Sequence, residues 1–302
     1  RLLQRPGRRE ARHARTHDDD LVRGCKPLCP GRGSDAATGQ SPQNQASAVH
    51  GGEGVCRHNL CMPLRPVRRL VVLVFFLCVL VPGTQAGARL DAVRQHEVLV
   101  CGVAAQDPGF AQRQPDGRFQ GLEVDLCRAV AAAVLGSSTQ VRFVALDTVH
   151  EFLDDPRIDL VFHRLSWALT REAPGQLEFG PVYFFEAGKQ GRLEPLAPLL
   201  RSDDADFSRI VRWVVHALLE AEWHAISRSD AGRADMPLSW PADDTGMALG
   251  LPPDWARRMV AQVGNYAEIY ERNLGPGAQS PLPRGPNRLW REGGLMVPLL
   301  LH

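Results

Sequence analysis

The chain predicts an α/β fold built on a parallel sheet. Two observations carry that prediction. Between residues 97 and 163, short β-branched apolar runs alternate with helical segments in the order strand, helix, strand, helix, strand. That order closes by right-handed crossovers into parallel strands. The 302-residue length also suffices for one large core or two modest ones.

The first element is EVLVCGVA (97–104), whose short apolar β-branched run predicts a buried strand. A loop rich in Gly, Pro, Asp and Gln follows to residue 120 and carries Phe110. GLEVDLCRAVAAAVLG (121–136) predicts a helix: Leu122, Leu126, Val130 and Val134 recur every fourth residue among strong helix formers. Glu123 and Asp125 oppose the positive end of its dipole, and Gly136 suits its stop. VRFVAL (141–146) is the second strand, TVHEFLDD (148–155) a short helix, and IDLVFH (158–163) the third strand. LEFGPVYFFEAG reads as extended. FSRIVRWVVHALLEAE (207–222) is an amphipathic helix through Phe207, Val211, Val214 and Leu218. Residues 223–250 read as polar and irregular. One helix is expected from an N-cap at Asp254 to Gly275, and Trp290 is the expected anchor of the tail. No internal repeat is present.

The net charge of +1 divides into +7 over residues 1–69 and −6 over the remainder. A folded part of that sign is a poor candidate for nucleic acid, which selects basic surfaces, and no nucleic-acid partner is expected. Met62 precedes Arg65, Arg68 and Arg69, then the apolar run Leu70–Val81, then the small residues TQAGA. This is the layout of a secretory signal peptide over 62–88, with cleavage after Ala86 or Ala88. The alternative is a short membrane anchor, although the run is too brief to span a bilayer as a helix. Residues 1–61 read as a disordered or spurious upstream segment. Cys25, Cys29, Cys56 and Cys61 have the loose outline of a zinc site, but no apolar surroundings to support one. No cofactor or metal is expected. Cys78 lies inside the signal segment, leaving Cys101 and Cys127 either as a disulfide or as two buried thiols.

In parallel sheets, ligands sit beyond the carboxyl ends of the strands. HRLSWALTRE (163–172) begins at the end of the third strand, and the Phe110 loop should face the same edge.

G-L-E-V-D-L followed by V-A-x-x-V, residues 121–134, resembles the signature of family 3 periplasmic solute-binding proteins, which deliver polar amino acids to ABC transporters. CGVAAQDPGF, DGRFQGLEVDLCRAVAAAV, W-A-L-T-R-E, EPLAPLLR, DFSRIVRWVVHALLEAE, LGLPPDWARRMVAQVGNYAEIYERNLG and RGPNRLWREGGLM are similar to the general L-amino-acid-binding branch, in the same order. The resemblance covers nearly all of residues 97–302. It implies a periplasmic-binding-protein type II fold, a periplasmic location, an L-amino acid held by its carboxylate, and an inner-membrane ABC permease as partner. In the family, a Ser or Thr followed five residues later by Arg holds the ligand α-carboxylate, a pattern that falls on Ser166 and Arg171. A guanidinium fork and a hydroxyl suit a carboxylate. Arg171 could instead pair with Glu172 or Glu178. Phe110 matches an apolar wall of the cleft or ordinary core. His163 and Arg164 stand where the branch usually has arginine then asparagine, and His163 could equally be a strand-end histidine. Asp107 replaces an apolar residue and would disfavour acidic ligands.

The family has two lobes that close on the ligand. Here GPVYFFEAG resembles the exit from the first lobe and EPLAPLLR the return, with about six residues between. A second α/β lobe needs on the order of 80–100 residues. The expected organisation is therefore a first lobe over 89–185, a shortened crossover at 186–196, and a return with a helical C-terminal extension over 197–302, the second lobe being truncated. Two other functions stay open. One is a dehydratase-like enzyme on the same fold, with His163 or Glu172 as its acid or base. The other is a sensory or docking module.

Overall fold

A computed structural model describes residues 87–172, 175–188, 191–233, 240–242 and 244–301. The N-terminal cysteine quartet, Cys78 and the apolar run of the signal segment lie outside the described residues.

Residues Ala88–His96 form α1, which the sequence reading did not anticipate. Its start is fixed by Asp204, whose carboxylate accepts from the amides of Arg89 and Leu90 and also caps the later helix at Phe207. Leu99–Ala104 (β1) is buried along nearly its whole length. Three short strands, Gln106–Asp107 (β2), Ala111–Arg113 (β3) and Phe119–Gln120 (β4), form a small antiparallel sheet of their own. Leu122–Leu135 (α2) follows. Gly121 precedes it at φ 139°, and a Cβ there would stand 2.0 Å from the Phe110 carbonyl oxygen. Only glycine lets the Phe110 loop lie against the helix start in that way.

Val141–Leu146 (β5), His150–Asp154 (α3), Leu160–Val161 (β6), Leu169–Glu172 (α4) and Leu177–Phe179 (β7) come next. Phe184–Ala187 (β8) and Leu193–Leu196 (β9) pair antiparallel, and Leu199–Arg201 (β10) returns to the main sheet. That sheet has the order β5-β1-β6-β10-β7. β1 pairs in parallel with β5 and β6, while β10 runs antiparallel to β6 and β7.

Ala205–Trp223 (α5), Arg228–Ala231 (α6), Asp244–Leu249 (α7), Trp255–Val263 (α8) and Tyr266–Leu274 (α9) complete the chain, with two 3₁₀ turns beyond. α2 lies under α5, α8 and α9 on one face of the sheet. It is therefore buried almost all round, Glu123 and Asp125 included, rather than along one stripe. The opposite face holds a smaller core of Phe152, Ile158, Leu146, Leu165 and Phe179 among others. Cys101 on β1 and Cys127 on α2 are joined by a disulfide that ties helix to sheet, with Cα atoms 6.2 Å apart.

Two expectations need correction. The helix expected over 254–275 is two helices, broken at Gly264 (φ 90°) with Asn265 capping the second. The side chain of Asn265 accepts from Glu268, whose own carboxylate returns to the Asn265 amide. That reciprocal cap outweighs continued periodicity. The stretch 223–250 also contains two short helices.

The crossover takes the form of a hairpin. β8 and β9 pair Glu186 with Glu194 and Ala187 with Leu193, and residues 188–192 join them. Among the described residues no second α/β lobe leaves or re-enters there. The C-terminal extension braces the hairpin: Asn287 bonds both the amide and the carbonyl of Phe185, at 2.6 and 3.0 Å. No described helix is long and apolar enough to cross a membrane.

Candidate functional site

The carboxyl ends of β1, β5 and β6 face one edge, and residues 163–172 leave β6 there. Arg164 adopts φ 47°, in the left-handed region. This sharp turn directs the chain along the edge, and Leu165 and Ser166 then run beside the return strand. The Ala197 amide donates to the Leu165 carbonyl, and Ser166 forms an isolated bridge with Leu196.

Ser166 and Arg171 come together. The Arg171 guanidinium donates to the Ser166 carbonyl at 2.5 Å, is exposed, and makes no ion pair among the described residues. The Ser166 hydroxyl donates to the carboxylate of Glu194. Glu172, the rival partner for Arg171, instead accepts from the Trp167 indole at 3.0 Å. Glu178 accepts from Ser208.

Arg164 lies at the centre of a second cluster. It binds Asp107 at 2.9 Å and Glu186 on β8, and lies over the Phe110 ring with 4.4 Å to the centroid. Burial opposes its charge, but Glu186 and Asp107 outweigh that and raise its pKa. Asp107 is thus paired within the lobe, sharing the one guanidinium with Glu186. Phe110 is buried beneath Arg164 and packs edge-on against Phe184. His163 bonds the Leu146 carbonyl at 3.0 Å and so latches the end of β6 to β5.

Behind these lies Glu123, fully buried. It accepts from the Arg164 amide at 2.6 Å and from the Tyr183 hydroxyl, while its other oxygen has no hydrogen-bond partner. Burial pushes its carboxyl up to about 7, against the Tyr183 hydrogen bond, which favours the charged form. Tyr183 is pushed well up in turn by burial and by the neighbouring carboxylate.

The residues named from sequence therefore fall into two adjoining groups: Ser166 with Arg171, and Arg164 with Phe110, His163 standing beside the latter. Glu123, Tyr183, Glu186 and Glu194 were missed. Glu186 and Glu194 enter the site only through the β8–β9 pairing, which sets them opposite one another. Among the described residues no group of His, Cys, Asp and Glu is disposed to hold a metal ion. A separate groove of about 400 Å³ runs between Trp167, Phe179, Pro181, His216 and Met296.

The mixed sheet, with polar groups at the ends of its parallel strands, has the periplasmic-binding-protein type II fold. The chain is similar in sequence to proteins named as amino-acid ABC transporter-binding proteins. It is similar to YhdW of Escherichia coli K12, named for amino-acid ABC transporter binding, at 27% identity covering 70% of this chain and 91% of the relative. The glutamate/glutamine/aspartate/asparagine-binding protein BztA of Rhodobacter capsulatus is 24% identical, covering 73% and 95%. The general L-amino acid-binding periplasmic protein AapJ of Rhizobium johnstonii is 26% identical, covering 72% and 94%. The YhdW alignment runs over 311 positions but takes up only 70% of 302 residues here, so about 100 positions of the relative lack a counterpart, the size of a small lobe. Among solved structures, a periplasmic binding protein of an ABC transporter from Brucella ovis, with glutathione bound, matches at TM-score 0.66 and 23% identity, covering 70% of this chain and 99% of that one. No family model matches the chain.

Proposed function

We propose that this chain is the solute-binding component of an amino-acid ABC transport system, acting in the periplasm and reduced to one lobe. It holds an L-amino acid by its α-carboxylate on Ser166 and Arg171 and presents it to an inner-membrane permease. The observation that supports this reading best is the exposed Arg171 guanidinium, with no ion-pair partner among the described residues, bonded to the Ser166 carbonyl at a parallel-sheet edge. An open guanidinium is a strong receptor for a carboxylate. The homology to amino-acid-binding proteins of transporters points the same way.

With one wall of the cleft gone, the ligand stays solvated on one side. Water weakens each charged hydrogen bond, so affinity falls well below that of a two-lobed receptor. The role is binding without covalent chemistry. A thermal-shift panel of L-amino acids and their D-enantiomers tests it: stereoselective, saturable stabilisation by at least one L-amino acid is expected. A panel without any saturable shift contradicts it.

A further inference from the structure

We infer that the pocket enclosed by the β3–β4 hairpin, α2 and β5 is a receptor for a phosphoryl group, held by Arg113, Arg118 and Arg128. It shares no lining residue with the strand-end site and does not depend on the proposed carboxylate role of Arg171.

The pocket measures about 370 Å³, which exceeds a bare anion and suits a small organic ligand carrying one. Local structure brings its cations together. β3 and β4 meet through a tight turn in which the Gln114 amide donates to the Arg118 carbonyl and the Gly117 amide to the Gln114 carbonyl. The register pairs Arg113 with Phe119, so both stand on one face of the hairpin. Phe119 lies against Phe143 of β5, with ring centroids 5.4 Å apart, and the Arg128 guanidinium stands 5.7 Å from the Phe143 centroid. The two rings form an apolar wall beside the three guanidiniums.

The charge balance points to an anion. Residues 70–302 carry a net −6, yet none of the described lining residues is acidic. The Arg113 guanidinium has no ion pair or hydrogen bond among the described residues. Arg118 pairs with Asp116, but both are exposed, and a water-screened pair of that kind yields readily to a stronger anion. Arg128 binds Asp125, which also serves Arg272 and Asn273 and so offsets only part of its charge. A hydrogen bond to the Phe119 carbonyl fixes the Arg128 guanidinium in place. A carboxylate offers two oxygens to one fork. A tetrahedral phosphoryl group offers oxygens in several directions, which suits guanidiniums arriving from both the hairpin and α2. No bond is made or broken.

The phosphoryl group can be carried by a soluble monoester or by a phospholipid headgroup. The test is an NMR titration of the ¹⁵N-labelled full chain with glycerol 3-phosphate and with dihexanoyl phosphatidylglycerol below its micelle concentration, against sodium chloride at matched ionic strength. Saturable shifts at residues 113–119 and 143 are expected with at least one of the two ligands and not with chloride. Arg113→Gln should weaken that binding about tenfold with an otherwise native spectrum, since the side chain is exposed. Arg171→Ala should leave it unchanged. Tighter binding of the monoester identifies a soluble ligand, and tighter binding of the lipid a membrane headgroup. Shifts that chloride reproduces, that survive in full in Arg113→Gln, or that appear with neither ligand overturn the inference. Loss of the shifts in Arg171→Ala places the anion at the strand ends and overturns it too, while leaving the carboxylate reading standing.

Discussion

The guanidinium of Arg164 lies 4.4 Å from the centroid of the Phe110 ring while binding Asp107 and Glu186 at its edges. One side chain thus roofs the aromatic core, pairs with the loop after β1, and fastens the β8–β9 hairpin. Arg164→Ala removes all three contacts and leaves two carboxylates without their cation. A loss of about 1–3 kcal/mol is expected by urea denaturation. A change below about 0.5 kcal/mol would show that the cluster is solvated surface only.

Glu123 gives the lobe a pH dependence of definite sign. Its folded pKa, about 7, is raised from an ordinary 4.5. Between those values the native state binds more protons than the unfolded one, so stability falls as pH rises through that window. The full contribution is about 3 kcal/mol at most, present below pH 4.5 and gone above 7. Glu123→Gln keeps an acceptor for Tyr183 and the Arg164 amide but does not ionise. Melting curves from pH 5 to 8 should therefore fall for the wild type relative to the variant. Parallel curves contradict the assignment.

The Cys101–Cys127 bridge closes a loop with a sequence separation of 26. Chain-entropy reasoning gives it roughly 3 kcal/mol. The Cys101→Ala, Cys127→Ala double variant should lose about that much in guanidinium denaturation, and dithiothreitol should lower the wild type alone. Equal response to reductant in both proteins contradicts the bridge.

Gly121 carries the contact between the Phe110 loop and α2. Gly121→Ala would drive a Cβ to 2.0 Å from the Phe110 carbonyl oxygen at an unfavourable φ of 139°. A loss of at least about 2 kcal/mol is expected, with altered near-ultraviolet dichroism from the displaced aromatic cluster.

Periodicity made the sheet and its first helix legible. VRFVAL forms the edge strand Val141–Leu146 through its β-branched apolar run although only Leu146 is fully buried, and GLEVDLCRAVAAAVLG encloses the helix Leu122–Leu135, whose apolar residues and alanines agree with its burial. The break at Gly264 was hidden because apolar residues continue in phase on both sides, and only the Asn265–Glu268 cap distinguishes two helices from one. α1 was hidden because its weak amphipathicity is replaced by a long-range cap from Asp204. In the site, Ser166 and Arg171 were visible through their spacing. Their carboxylate neighbours were not, since Glu194 reaches Ser166 only after the crossover folds into a hairpin.

The central claim is that Arg171 holds the carboxylate of an amino acid. Isothermal titration of the full chain and of Arg171→Ala, against the L-amino acid giving the largest thermal shift, tests it most directly. Saturable heat with the wild type is predicted, weakened about tenfold or more in the variant. The unfolding midpoint should stay unchanged, since the guanidinium is exposed. Equal affinity in the two proteins, or no saturable heat in either, would contradict the account.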